Sequence, residues 1–105
     1  MTSRFVIAAK AADIKPGDLV GVDVDGTRIA LANVDGQFYA IGDTCTHEQC
    51  SLSADGTLDG QVVTCGCHGA QFSVTDGRVL APPAPEPVPS YPTRTDDNGG
   101  VLVQV

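Results

Sequence analysis

The sequence predicts an all-β protein made of stacked antiparallel sheets, in a small sandwich or barrel-like arrangement. Aspartate or asparagine is followed by glycine at six places, namely 25–26, 35–36, 55–56, 59–60, 76–77 and 98–99. Such pairs favour the positive φ angles of tight hairpin turns. The runs between them have strand character and recur every eight to twelve residues or so, which is typical of small β-sandwiches.

Seven segments are predicted as strands because β-branched and aromatic residues lie between turn residues. In chain order they are LVGVDV (19–24), TRIALA (27–32), QFYAIG (37–42), QVVTC (61–65), QFSV (71–74), RVLA (78–81) and VLVQV (101–105). A helix is indicated only weakly, at 8–12. Residues 81–92 read APPAPEPVPSYP, and since proline lacks the N–H that a sheet ladder needs, we expect an extended return segment there and not a central strand.

Length and charge limit the organisation and the partners. A chain of 105 residues fits one domain, residues 1–105, with a single core. Thirteen acidic residues against six basic ones give a net charge of −7, which disfavours nucleic acid and anionic membranes and favours a basic protein surface. No run approaches the roughly 20 apolar residues of a membrane span, and the apolar run Phe5–Ala9 is too short for a signal peptide. We therefore expect a soluble, cytoplasmic protein.

All four cysteines and both histidines lie in two short stretches, CTHEQC (45–50) and CGCHG (65–69). The first contains Cys45-x-His47 and the second Cys65-x-x-His68, with seventeen residues between His47 and Cys65. A lone histidine or cysteine is usually a surface or core residue, but two matched pairs in loops indicate a metal site. Two disulfides would need an oxidising compartment, for which the sequence gives no export signal.

Two kinds of metal site are consistent with these residues. One is a single zinc ion held by two thiolates and two imidazoles. Zinc sites commonly pair like ligands within one loop, however, whereas each loop here has one ligand of each type. That alternation suits a two-iron cluster in which one iron takes both thiolates and the other takes both imidazoles.

The pattern C-T-H, seventeen residues and then C-x-x-H-G resembles the motif of Rieske 2Fe-2S proteins. The resemblance implies one Rieske 2Fe-2S cluster, with Cys45 and Cys65 on the inner iron and His47 and His68 on the outer iron. It further implies a Rieske fold whose cluster-binding subdomain, residues 43 to about 84, is inserted into a larger sheet scaffold. Neutral imidazoles make such clusters easier to reduce, at roughly −150 to +300 mV against about −400 mV for plant-type all-cysteine clusters.

Three kinds of Rieske protein share this motif, and other residues distinguish them. A terminal oxygenase needs a further iron held by two histidines and a carboxylate, and both histidines are already used. In membrane-anchored quinol-oxidising subunits two extra cysteines form a disulfide, which Cys50 and Cys67 match, but we expect no membrane anchor from this sequence. That group's serine and tyrosine donors are replaced by Ala70 and Phe72, so we expect a potential in the lower part of the Rieske range.

Resemblance to the soluble Rieske ferredoxins of aromatic ring-hydroxylating dioxygenases covers nearly the whole chain. It implies a monomeric one-electron carrier in aromatic hydrocarbon catabolism, which docks transiently on a flavin-containing reductase and a terminal oxygenase and performs no substrate chemistry. We expect Cys50 and Cys67 to form a disulfide if the loops meet over a cluster, although this pair is unusual in the group and a reducing cytosol would favour free thiols. The disulfide would act mainly to brace the loops. The residues expected around the cluster or at the rim of the docking surface are Glu48, Gln49, Gly66, Gly69, Ala70, Gln71, Phe72, Pro82 and Pro83. A Rieske subunit of another redox complex and a structural zinc module remain alternatives.

Overall fold

The computed structural model of the protein describes residues 5–45, 50–67, 69–81 and 86–104. In these ranges the chain is mostly strand, which confirms the all-β prediction. The elements are β1 (Phe5–Lys10), a 3-10 turn (Ala11–Asp13), β2 (Leu19–Val24), β3 (Thr27–Val34), β4 (Gln37–Gly42), α1 (Leu52–Asp55), β5 (Thr57–Asp59), β6 (Val62–Thr64), β7 (Gln71–Ser73), β8 (Val79–Ala81), β9 (Ser90–Tyr91), β10 (Thr93–Thr95) and β11 (Gly100–Gln104).

The strands form three antiparallel sheets. The first has the order β1-β11-β10, the second β2-β3-β4-β9 and the third β5-β6-β7-β8. The first sheet joins the two ends of the chain, because β1 pairs with β11. The second and third sheets are built mainly from hairpins between consecutive strands. The predicted stack of antiparallel sheets is therefore confirmed.

Two tight turns fix the hairpins of the second sheet. Asp25 and Gly26 have φ angles of 50° and 84°, and Asp35 and Gly36 have 53° and 91°. Positive φ at both central residues defines the turn whose twist matches that of the paired strands, and aspartate followed by glycine adopts it at low cost. The register follows directly, since Val24 lies opposite Thr27 across a two-residue loop.

Strand β3 is buried on both faces and separates two cores. Ile29 and Leu31 point into the core shared with β1 and β11, whereas Ala30 and Ala32 belong to the core that contains the cysteines Cys45 and Cys65. Successive side chains of a strand point to opposite faces, so the large side chains lie on one face of β3 and the alanines on the other. The alanine face leaves more room for a neighbouring sheet. The third sheet thus packs on the alanine face.

The third sheet is an insertion into the second. Strand β4 ends at Gly42, and the chain returns to pair with β4 only at β9, where Ser90 lies opposite Ile41. The Gly42 N–H donates to the carbonyl of Pro89, with 2.8 Å between nitrogen and oxygen. In the described residues 86–92 of the proline-rich segment the strand is β9, which lies at the edge of its sheet and not at its centre, as expected.

Two local predictions are wrong. The weak helix at 8–12 is instead the end of β1 followed by a single 3-10 turn, because pairing with β11 overrides the alanine-rich composition. Asp55-Gly56 is no hairpin turn, since Asp55 ends the short helix α1, whose first turn is capped by Ser51. The sequence also did not predict β1, β5, β9 and β10. In the described part of the chain, no helix is both long and apolar enough to cross a membrane.

Candidate metal centre

Two loops that bear the cysteines are closed by the same backbone hydrogen bond. The first loop, residues 45–50, follows β4, and the second loop, residues 65–70, joins β6 to β7. The N–H of Cys45 donates to the carbonyl of Cys50 at 2.9 Å, and the N–H of Cys65 donates to the carbonyl of Ala70 at 2.7 Å. In each loop the bond runs from the cysteine to the fifth residue after it. Cys45 and Cys65 therefore occupy equivalent positions in the two loops.

The two equivalent cysteines are free and almost fully buried. Each has a relative exposure of 2%. Both pack in the core that also contains Leu52, Ala70 and Phe72. Because free thiols in such surroundings are shielded from water, this side of the two loops offers two protected sulfur ligands.

The other two cysteines cross-link the loops. Cys50 and Cys67, for which the resemblance implied a disulfide, are joined in one, and their Cα atoms lie 6.6 Å apart. Cys50 is half-buried and Cys67 is exposed. The disulfide thus lies nearer the surface than the two free thiols, and it holds the end of the first loop against the middle of the second.

A glycine in the second loop allows close contact with the helix that follows the first. A Cβ atom placed on Gly66 would overlap the carbonyl oxygen and carbon of Asp55, the last residue of α1. The contact is with backbone, so a side chain at position 66 would force one of the two segments to move. Gly66 therefore acts as a structural contact between the two halves of the site.

Asp43 attaches the first loop to the second sheet, and sequence reasoning did not predict it. Its carboxylate is 2% exposed, accepts from the Ser51 hydroxyl at 2.6 Å and from the Ser53 N–H at 2.8 Å. The Nε atom of Arg28, on β3, lies 3.5 Å from the same carboxylate. The Leu52 N–H donates to the Asp43 carbonyl at 2.6 Å. A carboxylate directly after a buried strand was the only sequence signal for this network.

Residues around the free thiols offer no side-chain donor at two positions where the quinol-oxidising group has one. Ala70 and Phe72 are fully buried in the same core as Cys45 and Cys65. Gln71, between them, is half-buried and donates its side-chain amide to the Thr64 hydroxyl at 3.2 Å. The Gly69 N–H donates to the Cys65 carbonyl at 2.9 Å. The remaining predicted site residues, namely His47, Glu48, Gln49, His68, Pro82 and Pro83, lie outside the described residues.

The donor set fits a two-iron cluster as far as the described residues show it. Such a cluster needs two thiolates on one iron, and the loops present two buried free thiols at equivalent positions. The second pair of cysteines is engaged in the disulfide and is not available as ligands in this state. Each loop also contains one histidine in the sequence.

The segment that contains both loops is acidic. Residues 43–84 have five acidic side chains and one basic side chain, Arg78. Arg78 is paired with Asp76 at 2.9 Å. The backbone N–H of Arg78 holds the pKa of Asp76 below its usual value, and the guanidinium adds to the effect. Asp76 therefore stays ionised, and its negative charge partly compensates the positive charge of Arg78.

Comparisons with known proteins agree with the geometry. Residues 4–92 match the family model of the Rieske [2Fe-2S] domain. The biphenyl dioxygenase ferredoxin subunit of Pseudomonas sp. (strain KKS102) is 42% identical over 92 residues, which cover 88% of this chain and 84% of the relative.

Two solved structures are also similar. A chain of the complex of reduced oxygenase and oxidized ferredoxin in carbazole 1,9a-dioxygenase superposes with a TM-score of 0.87 and 37% identity, over 94% of this chain and 91% of that one. A putative NADH-dependent nitrite reductase small subunit from Mycobacterium tuberculosis has a TM-score of 0.87 and 27% identity, over 100% of this chain and 97% of the other.

Proposed function

Because the chain belongs to the Rieske [2Fe-2S] domain family, we propose that it carries single electrons to the terminal oxygenase of an aromatic ring dioxygenase system. The observation that carries this proposal is the pair of equivalent loops, each with one buried free cysteine, on a chain that matches a dioxygenase ferredoxin subunit over 88% of its length. When bound, a Rieske cluster supplies reversible one-electron chemistry in an accessible range of potential.

The protein's own residues have distinct roles in this proposal. Cys45 and Cys65 hold the inner iron, and their burial excludes water from the sulfur side of the site. His47 and His68 hold the outer iron and give the electron a short path to the partner. Ala70 and Phe72 keep the surroundings of the sulfur atoms apolar, which disfavours the more negative reduced state and lowers the potential.

Residues 43 to about 84 form the cluster-binding subdomain in this proposal, and its loop end is the docking surface. Support comes from the third sheet, which lies wholly between β4 and β9 in sequence. The rim of the docking surface would consist of Glu48, Gln49 and Gln71 with the proline-rich segment. Electron-transfer encounters use small, weak interfaces, so a monomer that docks on a flavin-containing reductase and then on the oxygenase is the simplest working form. We place the carrier in the cytoplasm.

The ligand assignment is tested by iron analysis of the purified holoprotein. Replacing Cys45, His47, Cys65 or His68 by alanine should reduce the iron content from about two atoms per chain towards zero. Gln71→Ala is the matched control, because Gln71 lies in the same region but binds its amide to Thr64, and this variant should retain its iron. Full iron content in any of the four ligand variants would remove that residue from the set.

The carrier role is tested by electron transfer to an oxygenase. The holoprotein is reduced, its EPR signal is recorded, and it is mixed anaerobically with the oxidised terminal oxygenase of a biphenyl dioxygenase system. We expect the reduced signal to disappear on mixing and to persist in the absence of oxygenase. A reduced protein that the oxygenase does not reoxidise, or a colourless protein that contains zinc, would refute the proposal.

A second candidate function is that of a Rieske subunit in another redox complex. Two observations favour it, namely the likeness to the nitrite reductase small subunit and the Cys50–Cys67 disulfide, a feature of the quinol-oxidising group. A redox titration followed by EPR separates the candidates. A strongly positive midpoint potential would favour the quinol-oxidising type, whereas the apolar surroundings of the thiols predict a value in the lower part of the Rieske range.

A further inference from the structure

Three cysteine sulfur atoms form a compact group that the electron-carrier role does not fully use. The Sγ atoms of Cys50, Cys65 and Cys67 all lie within 4.8 Å of one another. Cys65 is a free, buried thiol, and the other two are joined in the disulfide. The disulfide therefore removes two of three neighbouring sulfur ligands from the reach of a metal ion.

The spacing of these sulfur atoms suits a soft divalent metal once the disulfide is open. Thiolates select zinc and similar ions, and Zn–S bonds of about 2.3 Å in tetrahedral geometry place two sulfur ligands about 3.8 Å apart. Opening the disulfide lets its two sulfur atoms separate towards that distance. Because the three sulfur atoms already lie within 4.8 Å of one another, we expect side-chain rotations to bring the three thiolates onto one ion.

The loops remain next to each other when the disulfide is open, because other contacts hold them. The bonds from Cys45 to Cys50 and from Cys65 to Ala70 close each loop at its base. Gly66 packs on the backbone of Asp55. The two hydrogen bonds preserve the shape of each loop, and the Gly66 contact connects the second loop to α1. Since none of them is made by the disulfide sulfur atoms, we expect the three sulfur positions to stay together in the reduced chain.

We propose that, in the reduced chain before a cluster is bound, Cys50, Cys65 and Cys67 form a binding site for one zinc-class ion, and that the disulfide closes this site. The site opens when a dithiol reductant delivers two electrons and two protons to the Cys50–Cys67 bond and is itself oxidised to a disulfide. Cys67 is exposed, which gives the reductant access. Zinc bound there would occupy Cys65, one of the two thiols needed for the cluster.

The disulfide is thus a selectivity element as well as a brace. A brace makes the cluster more stable once it is bound, and its loss lowers iron content without creating or destroying a zinc site. If the disulfide were only a brace, the double variant Cys50→Ser/Cys67→Ser and the wild-type chain should contain the same amount of zinc in a reducing host. The zinc proposal predicts a difference. That variant lacks two of the three thiolates and should therefore bind less zinc than the reduced wild-type chain.

The test measures metals in the full chain produced in a reducing cytoplasm in zinc-supplemented, iron-limited medium and purified without oxygen. We expect wild-type protein to contain zinc at up to one ion per chain, and the Cys50→Ser/Cys67→Ser variant to show at least about a tenfold loss, because a lost ligand costs more affinity than a lost outer partner. Wild-type protein from an oxidising cytoplasm should contain as little zinc as the variant. Equal zinc in the variant and the wild type would place the ion on the Cys45, His47, Cys65 and His68 set and overturn the proposal.

A second measurement needs no variant. Cd²⁺ is added to wild-type chain whose cluster sites were left empty by iron limitation, once with the disulfide intact and once after reduction with a phosphine and desalting. The absorption band of the cadmium–thiolate bonds should appear after reduction and be several-fold weaker in the oxidised chain. Equal bands in the two samples would refute the site, whereas the electron-carrier role stands or falls separately with the EPR experiment on iron-loaded protein.

Discussion

Two side chains beside the ligand thiols determine how polar the sulfur environment is. Ala70 and Phe72 are completely buried with Cys45 and Cys65, and neither side chain has an N–H or O–H to donate to sulfur. A hydrogen bond to sulfur stabilises the reduced cluster more than the oxidised one, because the reduced cluster has the greater negative charge. These two positions are therefore the most direct means of changing the potential without changing a ligand.

Ala70→Ser should raise the midpoint potential by about 60 mV, since a differential stabilisation of about 1.4 kcal/mol corresponds to 59 mV for one electron. The measurement is a redox titration followed by EPR. Ala70→Gly is the matched control, because it changes the packing by a similar amount and adds no donor. Equal shifts in the serine and glycine variants would show that packing, and not hydrogen bonding, sets the potential.

Asp43 should be important for stability because its own carboxylate is buried and accepts two hydrogen bonds, from the Ser51 hydroxyl and the Ser53 N–H. Asp43→Ala leaves the Ser51 hydroxyl and the Ser53 N–H without their acceptor and separates the first loop from Arg28. We expect the free energy of unfolding to decrease by about 2–3 kcal/mol and the Tm to decrease by roughly 10 °C or more. Thermal unfolding of the holoprotein, followed by circular dichroism, measures the change in Tm.

Asp23→Ala is the control for Asp43→Ala, because Asp23 also pairs with Arg28 at 3.5 Å but is exposed. An exposed pair contributes about 0–1 kcal/mol, so the Tm should change little. If the two variants unfolded at the same temperature, the proposed anchoring role of Asp43 would be wrong.

Sequence reasoning at the residue scale was strongest where a residue type and a spacing carry the chemistry. The alternation of cysteine and histidine in two loops led to the Rieske family, which the comparisons show. Asp43 was missed because its importance depends on burial and on Ser51 and Arg28, which lie eight and fifteen residues away in the chain. No local pattern contains that information.

At the scale of elements, the two loops act as one unit because helix α1 and the second loop are in backbone contact. Gly66 makes this contact possible, since any side chain there meets the carbonyl of Asp55. A helix of four residues has little stability of its own, so its position depends on such contacts. The spacing of the two loops is therefore set by packing as much as by the disulfide.

Gly66→Ala should shorten the lifetime of the cluster, because the added Cβ forces the second loop away from α1. We expect the visible absorbance of the holoprotein to decay several-fold faster at raised temperature, in line with a destabilisation of about 1–3 kcal/mol. Gly60→Ala is the control, as Gly60 has a φ of 60° but an open position for a Cβ. Equal decay rates would mean that the contact does not support the site.

The two hairpins of the second sheet were predictable, whereas β1 and β9, which pair with strands distant in sequence, were not. Asp25-Gly26 and Asp35-Gly36 carry their own turn geometry, so the sequence alone identified them. Strand β1 was not predicted, and its last residues were included in the weak helix at 8–12, because its partner is the distant strand β11. Strand β9 lies in a proline-rich segment, and only its pairing with β4 makes it a strand.

On the scale of the whole molecule, charge is the property most relevant to docking. The chain has a net charge of −7, and the segment with the two loops contains a single basic residue, which is paired. An acidic surface of this kind attracts a basic partner over distances comparable with the Debye length, about 8–10 Å at physiological salt. Electron transfer should therefore become slower as ionic strength rises.

Asp55→Asn should lower the bimolecular rate constant for electron transfer to the oxygenase by about twofold at low salt, the effect of one unit charge at roughly 10 Å in water. Asp35→Asn removes the same charge at the turn before β4, a strand of six residues and roughly 20 Å that separates Asp35 from the first loop, and should change the rate less. Stopped-flow measurements at several salt concentrations test both variants. A rate constant independent of salt would exclude charge steering.

The hydrogen bond between Gly42 and Pro89 has a consequence for the history and engineering of this protein. The chain leaves the second sheet and returns to it at one point, so the intervening 46 residues behave as a cassette with adjacent ends. We expect such a cassette to be exchangeable through two junctions while the terminal strands and the two aspartate–glycine hairpins of the second sheet stay in place. The alanine face of β3 limits which cassettes can be accommodated, because any incoming cassette must pack on Ala30 and Ala32.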